Sequence, residues 1–237
     1  MTELLYLTDS YLREFTATVV DITEDGVVLD RTAFYPEGGG QPSDTGALLD
    51  DRGRQYVVRK VQRVKGKVVH KIDGESPAAG AEVRGAVDWD RRHKLMRTHT
   101  ALHILCGVIW RDYGASVTGG NMEPLKARMD FELESMSAAF SDEVEAKINA
   151  EVTAARPVHI DILPRQEAFQ IPDLIRTKIN LLPEGIQEVR VVEIEGLDLQ
   201  ADGGTHVANT KEVGRIIVTG HESKGRINKR LRIEIEE

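Results

Sequence analysis

The sequence predicts an α+β protein, with a small β-barrel-like domain over residues 1–89 and an α+β domain over residues 90–237. Short segments rich in Val and Ile, separated by turn formers, fill the first ninety or so residues. Several short strands at close spacing favour a small barrel or sandwich. At Arg91 the pattern changes to a long stretch with helical periodicity, and further strands follow it. We therefore expect the second domain to place a long helix on an antiparallel sheet.

The N-terminal strands are predicted from runs of β-branched residues between turn signals. Asp25-Gly26, Lys65-Gly66 and Asp73-Gly74 are dipeptides typical of tight turns. The strands predicted in this half are Phe15–Ile22, Gly26–Asp30, Gln55–Val64, Lys67–Ile72 and Ala81–Trp89.

A long, largely buried helix is predicted from Arg91 to Asp112, because apolar residues recur there at helical spacing. This stretch contains no proline and only one glycine, Gly107, and Gly114 stands where a helix would end. A second helix is predicted from Ser141 to Ala155, with Ser141 as its N-cap. The strands predicted in this half are Lys126–Leu133, Pro157–Leu163, Gln187–Glu195, Arg215–Val218 and Arg226–Ile235.

The composition is that of a globular protein rather than of a membrane or secreted one. Apolar residues make up 41% and charged residues 30% of the 237 residues, and Cys106 is the only cysteine. The N-terminus lacks a basic region followed by a long apolar run, and no stretch approaches the ~18 apolar residues of a membrane span. We expect a soluble, cytoplasmic protein with no membrane partner.

The charge of the chain is unevenly distributed. The formal net charge is −8, yet the run from Arg52 to Lys71 contains eight Lys or Arg residues and no acid. Such a run is either a solvated face of the strands or a surface that binds phosphates. Aromatic residues make up only 5% of the chain, which argues against a broad stacking platform for single-stranded nucleic acid.

Two histidines of the predicted helix, His99 and His103, are four residues apart. Residues at this spacing lie on the same face of a helix, so two imidazoles can reach one ion. Thr100 stands where the metalloprotease motif has its catalytic Glu, which excludes that class. The alternative is a pair of buried histidines that only satisfy hydrogen bonds.

A second candidate for metal binding lies far downstream. Asp202 and His206 flank Gly203-Gly204, which lets the chain turn sharply and direct both side chains to one point. Together with the helix pair they make a plausible near-tetrahedral set for one zinc ion. The alternative is a tight turn with an incidental histidine.

The third feature is a glycine run, Gly38, Gly39 and Gly40, followed by Gln41. Backbone N–H groups of such a run can approach a phosphate or a sugar closely, and Gln41 could hydrogen-bond the bound group. The run lacks the GK[ST] ending of a P-loop and the following helix of a dinucleotide-binding motif. The alternative is a flexible hairpin loop.

Three motifs together resemble the free-standing alanyl-tRNA editing proteins, which are relatives of the editing domain of alanyl-tRNA synthetase. The motifs are RTAFYPEGGGQPSDTG (Arg31–Gly46), MRTHTALHIL (Met96–Leu105) and DLQADGGTHVANTKEVG (Asp198–Gly214). They occur in the family's order and span nearly the whole chain, and the glycine-rich module resembles that of the medium-length members.

The resemblance implies an enzyme that hydrolyses the ester between a wrongly attached amino acid and the alanine tRNA. Its partner would be tRNA(Ala) charged with serine or glycine, and residues 90–237 would be the editing domain. The family binds one zinc ion through two helix histidines and a Cys and a His in a Cys-Gly-Gly-Thr-His run. Position 202 of this chain is Asp, so we expect Asp202 to be a ligand directly or through water. A carboxylate in place of a thiolate predicts weaker zinc binding and a broader ion preference.

Under the resemblance, a hydroxyl that hydrogen-bonds the serine side chain would favour serine over alanine, because alanine would leave it unpaired. The candidates near the motifs are Thr98, Thr100, Thr118 and Thr205. For contact with the tRNA acceptor arm we predict Arg59 and Arg63 in the basic run.

Two other functions stay open at the level of the sequence. The chain could be a metallohydrolase acting on another ester or amide, or a non-catalytic tRNA-binding module with a structural metal. The sequence does not predict the oligomeric state, or whether the ion ionises water or only positions the substrate.

Overall fold

The computed structural model describes residues 2–176 and 185–237. The chain divides into two compact units, of which the first ends at Lys94 and the second begins at Leu95. The boundary lies inside the first helix, α1 (Trp89–Tyr113). The described residues are mostly antiparallel sheet with three α-helices, which confirms the predicted α+β class.

The first unit is built from eight strands, and six of them close into a barrel. The strands are β1 (Glu3–Leu4), β2 (Glu14–Thr23), β3 (Gly26–Leu29), β4 (Arg31–Thr32), β5 (Gly46–Asp50), β6 (Gln55–Val64), β7 (Lys67–Ile72) and β8 (Glu82–Val87). The barrel follows the order β2-β3-β7-β6-β5-β8, and all its neighbouring strands are antiparallel. The short strands β1 and β4 pair in parallel.

The barrel encloses branched and aromatic side chains, because alternate residues of each strand point inward. Gly85 leaves room for one of the largest of these side chains, since a Cβ there would lie 2.3 Å from the ring of Phe15. The tight turn between β6 and β7 consists of Lys65 and Gly66, with φ of 48° and 80°. Two successive residues with positive φ match the twist of the flanking strands.

The second unit combines two antiparallel sheets with the helices. Its elements after α1 are β9 (Val117–Glu123), β10 (Lys126–Phe131), α2 (Ala138–Thr153), β11 (Val158–Pro164), α3 (Arg165–Ala168), β12 (Glu188–Ile194), β13 (Asp198–Ala201), β14 (Ile216–Gly225) and β15 (Asn228–Ile235). One sheet has the strand order β14-β15-β10-β9 and the other the order β11-β12-β13. Among the described residues, no helix combines the length and the apolar character that crossing a membrane requires.

The long helix α1 begins and ends with ordinary capping signals. The Oδ1 atom of Asp88 accepts from the N–H of Arg91 at 3.2 Å, as an N-cap does. At the other end, Gly114 has a φ of 62° and its N–H donates to the carbonyl of Trp110. Every residue from 98 to 109 is buried, which confirms the prediction of a long, largely buried helix.

The predicted start of the second helix was wrong. Helix α2 begins at Ala138, and Ser137 is its N-cap, with Oγ accepting from the N–H of Phe140 at 3.1 Å. Ser141 lies inside the helix, where its hydroxyl donates to the carbonyl of Ser137. Two alanines after Ser137 favour an earlier start, and the ring of Phe140 packs against Tyr113 at 4.9 Å between centroids.

Candidate metal centre

Four side chains that could hold a metal ion converge in the second unit. His99, His103, Asp202 and His206 each offer one ligand atom, and these atoms lie within 4.8 Å of one another. The ring centroids of His99 and His206 are 4.3 Å apart, and those of His103 and His206 are 4.6 Å apart. The structure thus brings together all four residues that the sequence predicted as a metal site. They are called the His–Asp cluster below.

Local structure explains how two distant segments meet in this cluster. Helix α1 places His99 and His103 one turn apart on one face. The loop after β13 supplies the other two side chains, and it is held by Asp202, whose Oδ2 accepts the N–H of Gly204 at 2.6 Å. The same oxygen lies 3.0 Å from Nε2 of His206. Loop and helix therefore present their donors to a common centre.

Hydrogen bonds outside the cluster orient two of the imidazoles. Nδ1 of His103 lies 2.9 Å from Oδ2 of Asp198, and Nδ1 of His206 lies 3.1 Å from the hydroxyl of Thr100. That hydroxyl also accepts the N–H of Val207 at 3.2 Å. Histidines that bind metals usually use their second ring nitrogen in this way, which fixes the ring and its tautomer.

The electrostatics suit a divalent cation. Burial lowers the pKa of His99 to about 4 and the pKa of His206 well below its ordinary value, so both rings are neutral at neutral pH. Burial opposes ionisation of Asp202, but the neighbouring His99 and His206 hold the pKa of that carboxyl well below its usual range. Burial also disfavours charge on His103, yet the hydrogen bond and charge of Asp198 raise the pKa of this imidazole. Neutral imidazoles and an ionised carboxylate are the forms that bind metals. His99, His206 and Asp202 favour these forms, whereas protonation of His103 competes with a metal at that ring.

The donor set fits zinc. Three imidazole nitrogens and one carboxylate oxygen match the number and type of ligands in four-coordinate zinc sites. Arg190 supports the carboxylate residue, since its Nη1 donates to the carbonyl of Asp202 at 2.9 Å and lies 3.8 Å from Oδ2. Sequence reasoning missed both Arg190 and Asp198, although Asp198 stands in the same motif as Asp202.

The lone cysteine stands apart from the cluster. Cys106 is on α1, only 1% exposed, and it is not among the groups whose ligand atoms converge in the described residues. Burial raises the pKa of its thiol. This thiol is therefore part of the core rather than a substitute for the thiolate ligand that position 202 lacks.

Comparison with known proteins assigns the family. The family model described as tRNA synthetases class II (A) matches residues 4–91, and the model for the threonyl and alanyl tRNA synthetase second additional domain matches residues 189–232. The alanyl-tRNA editing protein AlaX-M of Methanosarcina barkeri is 42% identical over an alignment of 237 positions, which covers 98% of this chain and 98% of that protein. The chain belongs to the alanyl-tRNA editing proteins.

Other relatives agree with this assignment. AlaX-M of Saccharolobus solfataricus is 43% identical over 98% of each chain. An alanine–tRNA ligase of Pyrobaculum aerophilum is 41% identical over 91% of this chain, but the match covers 25% of the ligase. The resemblance predicted from the three motifs is confirmed, and the editing protein matches AlaX-M relatives over nearly their whole length.

The four threonines considered for serine recognition have different surroundings in this editing protein. Thr100 contacts the His–Asp cluster through His206, and Thr205 is fully buried directly before His206 in the chain. The hydroxyl of Thr98 accepts the N–H of Leu125 at 2.9 Å in the turn between β9 and β10. Thr118 lies on the exposed side of β9 and donates to Oδ1 of Asn228 at 3.0 Å.

The glycine run of the first unit forms an exposed tight turn. Gly38 and Gln41 exchange two backbone hydrogen bonds, of 3.1 and 2.9 Å, and Gly39 and Gly40 between them have φ of 58° and 86°. Gln41 itself is only 1% exposed. The contact of the Gln41 side chain with a bound group stays a prediction, and the glycine backbone is the exposed part of the loop.

Four of the eight basic residues in the basic run of the editing protein form ion pairs with acids of the first unit. The pairs are Arg54 with Asp50 and Glu75, Arg59 with Asp73, Lys60 with Glu37, and Lys67 with Asp21. Arg63 donates from Nη2 to the hydroxyl of Tyr6 at 3.3 Å. The local positive charge is consequently smaller than the sequence suggests, although the side chain of Arg59 is 67% exposed.

Proposed function

We propose that this chain is a trans-editing hydrolase that deacylates mischarged Ser-tRNA(Ala), and also Gly-tRNA(Ala), with one zinc ion in the His–Asp cluster. The observation that carries the proposal is the convergence of His99, His103, Asp202 and His206 in a chain of the alanyl-tRNA editing family. Residues 90–237 are assigned the metal and the hydrolysis, and residues 1–89 are assigned contacts with the tRNA.

Hydrolysis of the aminoacyl ester requires few contributions from the protein. An aminoacyl ester is already activated, so hydrolysis needs mainly a positioned water, stabilisation of charge and selection of the amino acid. When bound, zinc supplies a positive charge that orients the ester or a water molecule. The three histidines of the cluster are each less than 10% exposed, and the exclusion of bulk water strengthens the electrostatic interactions there.

Selection of serine over alanine is assigned to a threonine hydroxyl. Thr100 and Thr205 are the first candidates, because one contacts His206 and the other precedes it in a fully buried position. Thr98 and Thr118 follow, since their hydroxyls hydrogen-bond Leu125 and Asn228. A hydroxyl that hydrogen-bonds the serine side chain is left without that partner when alanine is bound. This disfavours hydrolysis of the correctly charged Ala-tRNA(Ala).

Contact with the tRNA acceptor arm is assigned to the first unit. The exposed glycine turn, Gly38–Gly40, offers backbone N–H groups, and Arg59 and Arg63 offer guanidinium groups for phosphates. Because acids form ion pairs with part of the basic run, we expect these contacts to contribute to the affinity for tRNA without supplying most of it.

The decisive assay is deacylation by zinc-loaded protein, with Ser-tRNA(Ala) and Gly-tRNA(Ala) as substrates and Ala-tRNA(Ala) as the control. We expect the first two to be hydrolysed, the third to be spared, and chelator treatment to abolish turnover. His206→Ala should lose activity, whereas His159→Ala, which changes a half-exposed histidine of β11, should keep it. Absence of turnover of both mischarged substrates by metal-loaded protein would overturn the proposal.

A second candidate function rests on the number of donors. Four protein ligands are what a closed, structural zinc site has, whereas catalytic sites keep a position open. A non-catalytic tRNA-binding module would bind tRNA(Ala), fail to hydrolyse either ester, and lose its fold on removal of zinc. A metallohydrolase of other esters or amides would cleave small model esters and spare Ser-tRNA(Ala).

A further inference from the structure

Asp198 is a buried carboxylate in contact with one histidine of the His–Asp cluster. It is 3% exposed, and its Oδ2 lies 2.9 Å from Nδ1 of His103. The amide of Gln200 donates to the same oxygen at 2.7 Å, and Oδ1 lies 3.5 Å from Nη1 of Arg176. Because both oxygens face donors or a cation, the carboxylate has one favoured orientation and can hold the imidazole in one orientation as well.

A glycine on the helix makes this contact possible, because it has no side chain. Gly107 follows His103 by one helical turn, so the two residues share a face of α1. A Cβ at Gly107 would lie 2.9 Å from Cγ and 3.0 Å from the carbonyl oxygen of Leu197, and 3.1 Å from Cβ of Asp198. Any side chain at this position would push the start of β13 away from the helix, and Asp198 with it.

We propose that Asp198 is a positioning residue that holds His103 as the tautomer with its hydrogen on Nδ1, and that Gly107 provides the close approach. An imidazole that donates from Nδ1 to a carboxylate has its lone pair on Nε2, and this nitrogen then faces the cluster. The inference rests on the proposed metal site.

The first test reads the tautomer of His103 directly. NMR of the ring nitrogens in metal-free protein at alkaline pH should show hydrogen on Nδ1 and a bare Nε2. In Asp198→Ala we expect this preference to weaken or reverse, because the free imidazole favours the other tautomer only slightly. A wild-type ring with its hydrogen on Nε2 would overturn the proposal, and this measurement requires no variant to fold.

The second test measures zinc affinity by competition with a chelator. Loss of such an outer partner typically costs about 10–100-fold in metal affinity, and we expect a loss of that size for Asp198→Ala. Asp198→Asn should lose less, since its amide oxygen can still accept from Nδ1. Gly107→Ala keeps every polar group and should weaken zinc binding in the same direction, because it moves Asp198.

The matched control is Glu151→Gln, which changes a buried carboxylate of the same unit that pairs with Arg111 and Arg156. We expect it to keep wild-type zinc affinity even where it lowers stability. Wild-type affinity in Asp198→Ala would overturn the positioning role, and wild-type affinity in Gly107→Ala would overturn the role of the glycine. Neither readout uses hydrolysis, so a protein that shows the expected tautomer and affinities but spares Ser-tRNA(Ala) overturns only the proposed function.

Discussion

The guanidinium of Arg92, at the start of α1, donates from Nε to both carboxylate oxygens of Asp44 at 3.0 Å, and neither side chain is exposed to solvent. Its two other nitrogens donate to the carbonyls of Ser10 and Ala33 at 2.9 and 2.5 Å. Asp44 also accepts the N–H of Tyr35 at 2.6 Å. The segment after the glycine turn is thus fixed, within the first unit, to a buried charge pair.

Replacing Arg92 should destabilise the first unit strongly. Arg92→Met leaves the carboxylate of Asp44 buried without its counter-charge, and we expect the free energy of unfolding to fall by about 3–5 kcal/mol. Urea unfolding measures this change. The control is Lys94→Met, whose partner Asp90 has a side chain that is 79% exposed, and its effect should stay below ~1 kcal/mol. A similar small effect for Arg92→Met would contradict the importance of the pair.

Acid should weaken the barrel through His70. This ring is fully buried, with Nδ1 donating to the carbonyl of Val27 and Nε2 accepting from Thr32. Burial lowers its pKa from 6.5 to about 4. Between these two pH values, His70 is therefore protonated in the unfolded chain and neutral in the folded chain. Stability should be lost as pH falls from 6.5 towards 4, by about 3 kcal/mol in total.

The measurement is unfolding by urea across this pH range, compared between wild type and His70→Gln. The variant cannot take up the proton, so its stability should depend less steeply on pH. His159→Gln, at an exposed histidine, should keep the wild-type dependence. Equal pH dependence in wild type and His70→Gln would show that His70 is not the group responsible.

Restoring a thiolate at position 202 should change the ion preference. Asp202→Cys gives the cluster a softer ligand, and we expect the ratio of zinc to manganese affinity to rise by about tenfold or more. Asp202→Asn, which removes the charge without supplying a thiolate, should weaken binding of both ions. Metal competition in solution measures both ratios. If Asp202→Cys left the ratio unchanged, position 202 would not be a ligand.

Thr100 should act through His206. Thr100→Val preserves shape but removes the hydroxyl that contacts Nδ1 of His206 and the N–H of Val207. We expect zinc affinity to fall by about tenfold, with recovery in Thr100→Ser. Thr118→Val, on the exposed face of β9, should leave zinc affinity unchanged. The ratio of Ser-tRNA(Ala) to Ala-tRNA(Ala) deacylation in the same variants then shows which hydroxyl selects serine. If a variant leaves this ratio unchanged, the threonine it replaces does not select serine.

Charge reversal in the basic run should weaken tRNA binding. Arg59→Glu with Arg63→Glu removes up to two phosphate contacts, so the slope of log affinity against log salt should become shallower by about 0.7–0.9 per lost contact. Arg84→Glu is the control, since its side chain is 57% exposed on another strand of the same unit. Binding titrations at several salt concentrations measure the slopes. If the double variant kept the wild-type affinity and slope, the tRNA would not contact Arg59 and Arg63.

The sequence predicted those strands that are determined by their own residues and by the turns beside them. Strands β6 and β7 have the predicted bounds because β-branched runs flank a two-residue turn at Lys65-Gly66. Strand β5, Gly46–Asp50, was missed, since it has no β-branched residue and depends on pairing with strands on both sides. Strand β9 was missed for a related reason, because Gly119-Gly120 interrupts it and a neighbouring strand holds it.

The same distinction between local and long-range contacts applies to the metal site. His99 and His103 share a helix face, and Asp202 and His206 share a turn, so each pair could be predicted from spacing. The contact of Asp198 with His103 could not, because it depends on how closely β13 approaches the helix at Gly107. The burial of Gln41 was equally invisible, since a polar residue after three glycines gives no sign of being enclosed.

The burial of Cys106 has a practical consequence. A thiol that is 1% exposed and has a raised pKa forms little thiolate and reacts slowly with alkylating reagents. Because the chain has no other cysteine, a cysteine introduced on its surface can be labelled selectively without first removing the native one. A spin label or fluorophore on a cysteine at position 76, where Ser76 is exposed in the first unit, could then report the distance to a labelled tRNA and follow the substrate as it arrives.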